Sequence, residues 1–298
     1  MSDGGVFERL TALRQYQGDG RRAPHKPLLV LLALGQLTNS GSSALQWSVV
    51  QERLSGLLAE FGTSSSSGTS GAAYPFTRLR NDGVWQLSRP VPDDNVGPLN
   101  AEPIEGQFTA DIESELRRST ESVNAVARVL VESQFPLTIA PDVLTAVGLD
   151  PDVVFGSPIA TSKGVGGRKR DPNWRRQIVA AWDRSCAFCG YDGALQGAPV
   201  GIEAAHIRWF NFDGPDTLDN GLALCSLHHK LLDRGALGLS TSGTIHVSSA
   251  FSAVGPIGRS VYTLHGRELQ PRPGTRLPAE HFILWHREEV FKGSPLSA

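Results

Sequence analysis

The positions of the cysteines constrain this chain more than any other feature. There are only three: Cys186 and Cys189 frame a C-x2-C step, and Cys225 opens a C-x2-H step that closes at His228. An odd, small set of thiols does not make a disulfide framework, whereas two short loops that each offer two ligands suit one tetrahedral ion. Three thiolates and one imidazole would complete the coordination sphere of Zn²⁺ and leave no open position, so such an ion would stabilise the fold rather than catalyse. Reduced thiols point to the cytoplasm. The N-terminus MSDGGVFERL has neither the basic start nor the apolar run of a secretory signal, and no uncharged apolar stretch is long enough to cross a bilayer, so no membrane partner is expected.

The chain has 298 residues, 40% of them hydrophobic, enough for about two domains with real cores. Its net charge of -2 hides an asymmetry. Residues 1–160 hold 12 Lys+Arg against 18 Asp+Glu, and the remainder 16 against 12. The stretch Lys163–Arg176 carries Lys163, Arg168, Lys169, Arg170, Arg175 and Arg176 against Asp171 alone. Its upstream part, GSPIATSKGVGGRKR, lacks apolar periodicity and reads as a basic flexible linker over 156–170, dividing the chain into domains at 1–155 and 171–298.

In the first domain, helical spacing is predicted for 5–17, for the apolar run after Pro24 and Pro27, for Trp47–Phe61, within Thr109–Glu132 and near Pro141–Val147. The Ser/Gly tract GTSSSSGTSG reads as a loop. Phe76–Arg80 and Val84–Leu87 alternate around Asn81-Asp82-Gly83, which predicts a β-hairpin with Arg78 and Arg80 on one strand face. Trp85 is expected in the core.

Between the two cysteine steps lie GIEAAHI, carrying His206, and DNGLALC, carrying Asn220; HHKLLD follows with His229 and Asp233. A strand, a loop and a helix are predicted, with His229 and Asp233 at i and i+4 on one helix face, able to hold a divalent cation together. The Asp-Asn-Gly sequence favours positive φ at Asn220. This segment resembles the HNH (ββα-metal) endonucleases, with His206, Asn220 and His229 in the H, N and H positions. The resemblance spans roughly 171–292, including the closing helix LWHREEVF. It implies that His206 is the general base, that His229 holds a cation such as Mg²⁺ or Mn²⁺, and that Asn220 orients the base or shapes the loop. Many members carry an aspartate before the general-base histidine. Here Ala205 stands in that place, so the missing carboxylate is Asp233 or Glu203.

Two islands mark the first domain: Arg21-Arg22-Ala-Pro-His25-Lys26-Pro27, basic residues delivered to a helix N-terminus, and Tyr74-Pro75-Phe76-Thr77-Arg78-Leu79-Arg80. In this order, ahead of an HNH segment, they resemble the sulfur-binding domain of McrA-like restriction endonucleases, which act on phosphorothioate-modified DNA. That resemblance covers roughly 5–155. It implies an apolar cup of Tyr74 and Pro75 around the sulfur, a phosphate held by His25, Lys26 and Arg78, DNA binding by Arg22 as well, and a hairpin from Arg80 to Trp85 that touches bases. Sulfur is larger, more polarisable and less well hydrated than oxygen, so an apolar cup discriminates in its favour.

The expected fold is therefore α+β: a mainly helical reader with a β-hairpin, then a ββα-metal domain with a Cys3His zinc site. The expected activity is that of a type IV-like restriction endonuclease with phosphorothioate-modified double-stranded DNA as partner, acting as a homodimer. Two alternatives stay open: an HNH enzyme directed to methylated or unmodified DNA, and a non-catalytic zinc regulator that binds DNA.

Overall fold

The computed structural model describes residues 5–15, 20–63, 69–156, 171 and 173–297. They belong to two compact units, residues 1–165 and 166–298. Of the expected linker only Gly156, the last residue of a helix, is described; the rest, with most of the basic stretch, lies outside the described residues. No helix among the described residues is long and apolar enough to cross a membrane.

The first unit is built around one helix. Residues Val6–Thr11 form α1 and His25–Ser40 form α2. From Leu28 to Leu34 every residue of α2 is fully buried, as expected of a helix that is apolar all round. It is enclosed by α3 (Trp47–Phe61), α4 (Thr69–Arg78), α7 (Thr120–Gln134) and α8 (Ala140–Val147). Three short strands, β1 (Leu45–Gln46), β2 (Trp85–Leu87) and β3 (Glu105–Phe108), form an antiparallel sheet in the order β1-β3-β2. Helices α5 (Val96–Ala101), α6 (Ala110–Arg118) and α9 (Pro151–Gly156) complete the unit. Gly106 in β3 is required by packing, because a Cβ there would lie 2.6 Å from the Trp85 ring and 2.8 Å from Phe76.

The expected hairpin is corrected. Tyr74 to Arg78 lie in α4, and Leu79–Asp82 follow as a 3-10 turn. Strand β2 pairs with β3 instead. Ala72, Phe76 and Leu79 are all fully buried, and their spacing fits a helical face as well as the short alternating run fits a strand. The helical face reaches the core, and that decides the outcome. Arg78 and Arg80 therefore do not share a strand face. Trp85 is a core residue, edge-on to Phe76 and Phe108.

In the second unit, α10 (Trp174–Ala181) precedes a small hairpin, β4 (Ala194–Leu195) with β5 (Ala198–Pro199). Strand β6 (Ile202–His206) pairs antiparallel with β7 (Gly221–Cys225), and α11 (Ser226–Asp233) follows directly. Helices α10 and α11 both pack on this pair of strands, which is the predicted ββα unit. A second hairpin, β8 (Leu237–Leu239) with β9 (Ile245–Val247), the short α12 (Pro256–Arg259) and the closing α13 (Glu280–Glu289) finish the chain.

Candidate functional site

The Cys3His set assembles. The C-x2-C loop turns through Gly190 at φ +76°, with Gly190 N–H donating to the Cys186 carbonyl, and is tied to β7 by Ala187 N–H donating to Ala223. Cys225 ends β7 and His228 lies in the first turn of α11, so the strand-to-helix junction delivers the second pair. One ligand atom from each of Cys186, Cys189, Cys225 and His228 lies within 4.8 Å of all the others, with His228 Nδ1 3.4 Å from Cys186 Sγ and 3.3 Å from Cys225 Sγ. Such a span fits the corners of a tetrahedron with bonds of about 2.0–2.3 Å to a central ion. Burial opposes ionisation of Cys186, but the hydrogen bond to His228 and backbone N–H groups outweigh it and bring the thiol to about 6. Cys189 is pushed up to about 12 by burial and by the nearby Cys186 charge. A divalent ion is the partner that lets all three thiols ionise together.

On the other side of the ββα unit, alternation along β6 sends Glu203 and Ala205 to one face and Ala204 and His206 to the other. Glu203 meets α11: its Oε2 lies 2.7 Å from His229 Nδ1, and its Oε1 accepts from Ser226 Oγ at 2.7 Å. His229 Nε2 lies 3.3 Å from Asp233 Oδ2, as the i, i+4 spacing requires. The imidazole is thus held between two carboxylates. The hydrogen bond from His229, against the effect of burial, brings Glu203 down to about 2. Burial alone would lower the His229 pKa, but the charge of Asp233 and the contact with Glu203 raise it. Glu203 and Asp233 address opposite ring nitrogens, so an ion at Nε2 would be shared with Asp233 while Glu203 orients the ring from Nδ1. With an ion at Nε2 this would be a carboxylate–histidine–metal arrangement, in which the carboxylate fixes the ligand's tautomer, and the nitrogen and carboxylate donors fit a divalent cation.

His206 is the last residue of β6. Its Nε2 lies 2.8 Å from Asp216 Oδ1, and its ring stacks on Trp174 with centroids 3.8 Å apart. Gly221, opposite His206 in the strand pair, makes room for that stack, since a Cβ there would lie 2.3 Å from Ile178 and 2.8 Å from Trp174. Asn220 is fully buried; it accepts from Arg208 N–H at 2.9 Å and donates to the Arg208 and Pro215 carbonyls at 3.0 Å each. These three bonds tie together the loop between β6 and β7. Asn220 does not adopt positive φ; it closes a 3-10 turn, Leu218–Asn220. Asp216 was not found from sequence, because an acid in an irregular loop carries no periodic signal and only the fold brings it to His206.

In the first unit, His25, Tyr74 and Arg78 converge. The His25 and Tyr74 rings stand edge to face at 6.1 Å, and the Arg78 guanidinium lies 5.0 Å over the Tyr74 ring. Tyr74 and His25 are half-buried and Pro75 is buried beside them. Burial lowers the His25 pKa. Arg78 is bidentate to Asp94 at 3.0 and 2.5 Å, which raises its pKa, and Arg80 pairs with Asp93 at 2.7 Å while donating to the Val91 carbonyl.

Arg22 and Lys26 turn inward, contrary to their expected place at a phosphate. Arg22 donates to the Phe61 carbonyl at 2.6 Å and lies over the Phe135 ring. Lys26 Nζ pairs with Asp82 Oδ2 at 2.5 Å and donates to the Arg14 carbonyl, with the side chains of the pair 6% and 3% exposed. Apolar residues crowd the first turn of α2, so its basic side chains have to find partners inside. Lys26→Ala strands the Asp82 charge, which costs about 3–5 kcal/mol. Denaturant titration of the full chain should show that loss in the first unit's transition, and Asp82→Asn added to it should restore most of it.

Comparison with known proteins follows the two units. Residues 4–152 match the family described as ScoMcrA-like, DNA sulfur-binding domain, and residues 186–240 match the HNH endonuclease family. Among solved structures, a ScoMcrA sulfur-binding domain complexed with phosphorothioated DNA is 22% identical, with TM-score 0.42, covering 51% of this chain and 99% of that one. The type IV phosphorothioation-dependent restriction endonuclease ScoMcrA is 20% identical, with TM-score 0.41, covering 68% of this chain and 36% of that protein. The curated proteins contain no match to this chain.

Proposed function

This chain belongs to the ScoMcrA-like DNA sulfur-binding-domain family and carries an HNH endonuclease domain, and from that premise we propose that it is a type IV-like restriction endonuclease. Residues 1–155 bind phosphorothioate-modified double-stranded DNA, and residues 171–298 hydrolyse its phosphodiester bonds. The observation that carries the reading is the gathering of His25, Tyr74 and Arg78 in a chain that also holds an HNH ββα unit.

Tyr74 and Pro75 form the apolar cup for sulfur. The choice of phosphate-binding cations rests on energetics. The Arg78–Asp94 pair is 42% and 40% exposed, and solvent screens such surface pairs, so a phosphate displaces Asp94 readily. Arg80 exchanges Asp93 in the same way. Lys26, in its buried pair, acts as a brace for the loop, and Arg22 does likewise against Phe61.

In the nuclease unit, Asp216 selects the His206 tautomer with the proton on Nε2, so Nδ1 accepts the proton of the attacking water. Trp174 fixes the ring plane. His229 and Asp233 would hold Mg²⁺ or Mn²⁺, with Glu203 orienting His229. The bound cation supplies neutralisation of the phosphate and of the leaving 3′ oxygen. Cys186, Cys189, Cys225 and His228 hold structural Zn²⁺. Cutting both strands takes two such centres, which a homodimer provides, and three reduced thiols suit the cytoplasm.

Binding to matched duplexes with and without one phosphorothioate tests the reader. Wild-type protein should prefer the modified duplex, and Tyr74→Ala should reduce that preference by about tenfold, ~1.4 kcal/mol, with little change for the unmodified duplex. Equal wild-type affinity for both duplexes refutes the reading.

A further inference from the structure

A second basic feature lies in the nuclease unit. Between α10 and the β4–β5 hairpin is a cavity of about 520 Å³, lined by Arg175, Arg176 and Arg184 and otherwise by apolar residues and glycine, with no carboxylate in its wall. The sequence period explains the placement. Trp174 and Ile178 turn inward on α10, which sets Arg175 and Arg176 on the exposed face. Helix α10 then ends in two consecutive left-handed residues, Asp183 at φ 50° and Arg184 at φ 60°. This reversal brings Arg184 to the hairpin, where it reaches the Gly197 carbonyl at 3.4 Å. The adjacent acid, Asp183, faces Arg272 at 3.6 Å. Arg175 donates to the carbonyl of Ile202, the first residue of the strand that ends at His206, and its charge helps to hold Glu203 ionised.

Three exposed guanidinium groups around one concave surface repel one another unless an anion sits among them. A row of phosphates is the ligand that such a groove fits, because it offers successive negative charges at no geometric cost in sequence readout. We propose that the Arg175–Arg176–Arg184 groove grips the sugar-phosphate backbone of the duplex beside the strand being cut. It is a sequence-independent contact, separate from recognition of the modification. The inference rests on the nuclease reading above.

The test uses the full chain carrying Arg176→Gln and Arg184→Gln, with Arg175 kept because it braces β6. Binding to a plain, unmodified duplex is measured over a salt series without added divalent cation, and cleavage of modified DNA is measured with Mg²⁺. Each lost phosphate contact should lower the slope of log K against log salt by ~0.9, about 1.8 for the pair. KM for cleavage should rise several-fold with kcat unchanged. Arg176→Lys with Arg184→Lys keeps the charge and should restore both quantities. An unchanged slope and KM in the Gln variant overturns the proposal. So does a loss common to the Gln and Lys variants with a lowered Tm, since that marks a structural role. If wild-type protein cuts no DNA while the slope still falls in the Gln variant, the nuclease reading fails and the groove stands as a DNA contact.

Discussion

A strong chelator is expected to unfold the nuclease unit and leave the reader unit folded. The Cys3His atoms join the C-x2-C loop, the end of β7 and the start of α11, so without an ion the junction that carries His229 loses its staple. Structural zinc sites contribute about 10–16 kcal/mol of apparent binding free energy near neutral pH, as large as the about 5–15 kcal/mol by which a whole domain is stable. Far-UV circular dichroism should show partial loss of helix on chelation, metal analysis one zinc per chain, and re-addition of zinc should recover the signal. Cys186→Ser should reproduce the loss without a chelator, since Cys186 is buried and in contact with His228. Full helical content after the metal is removed would mean that the four side chains are an ordinary buried cluster.

Replacing His206 by alanine is expected to lower the cleavage rate by about 10²- to 10⁴-fold, the usual contribution of a positioned general base, while affinity for modified DNA stays at the wild-type value. The residue is held between Asp216 and Trp174, so the Tm of the variant is measured alongside to separate a catalytic loss from a loosened fold. Asp216→Asn is a gentler lesion: it keeps a hydrogen bond but weakens selection of the tautomer, so kcat should fall with KM unchanged. Comparable cutting by His206→Ala and wild type would remove this residue from the chemistry.

The nuclease unit was largely legible from sequence because its signals are local and chemically restrictive. A metal-ligand step tolerates few residue types, and His229 with Asp233 follows from helical periodicity alone. The partner of His206 that the sequence did not reveal comes from elsewhere in the fold. Asp216 reaches His206 through a loop whose shape is set by Asn220 and its three hydrogen bonds, and no pattern in the chain announces that path. Glu203 was one of two candidate carboxylates for the place left by Ala205. The two stand at opposite ring nitrogens of His229, Asp233 at Nε2 and Glu203 at Nδ1.

The reader unit shows where local pattern fails. Only Arg78-Leu79-Arg80 alternates, whereas Ala72, Phe76 and Leu79 satisfy the helical period, and burial of that face decides the outcome. The convergence of Tyr74 with His25 and Arg78 survives the change of element, because it depends on which helices meet and not on strand alternation. Charge was the other source of error. Lys26 and Arg22 look like phosphate ligands in a basic island, but the sequence carries no mark of Asp82, which lies 56 residues away and takes the Lys26 charge into the interior.

The most direct measurement of the central claim is cleavage of two plasmids of identical sequence, one carrying phosphorothioate linkages and one without, by the full-length protein loaded with zinc and supplied with Mg²⁺. The account predicts that the modified plasmid is linearised or fragmented while its unmodified twin stays supercoiled. Equal cutting of the two plasmids, or failure to cut either one, would contradict it.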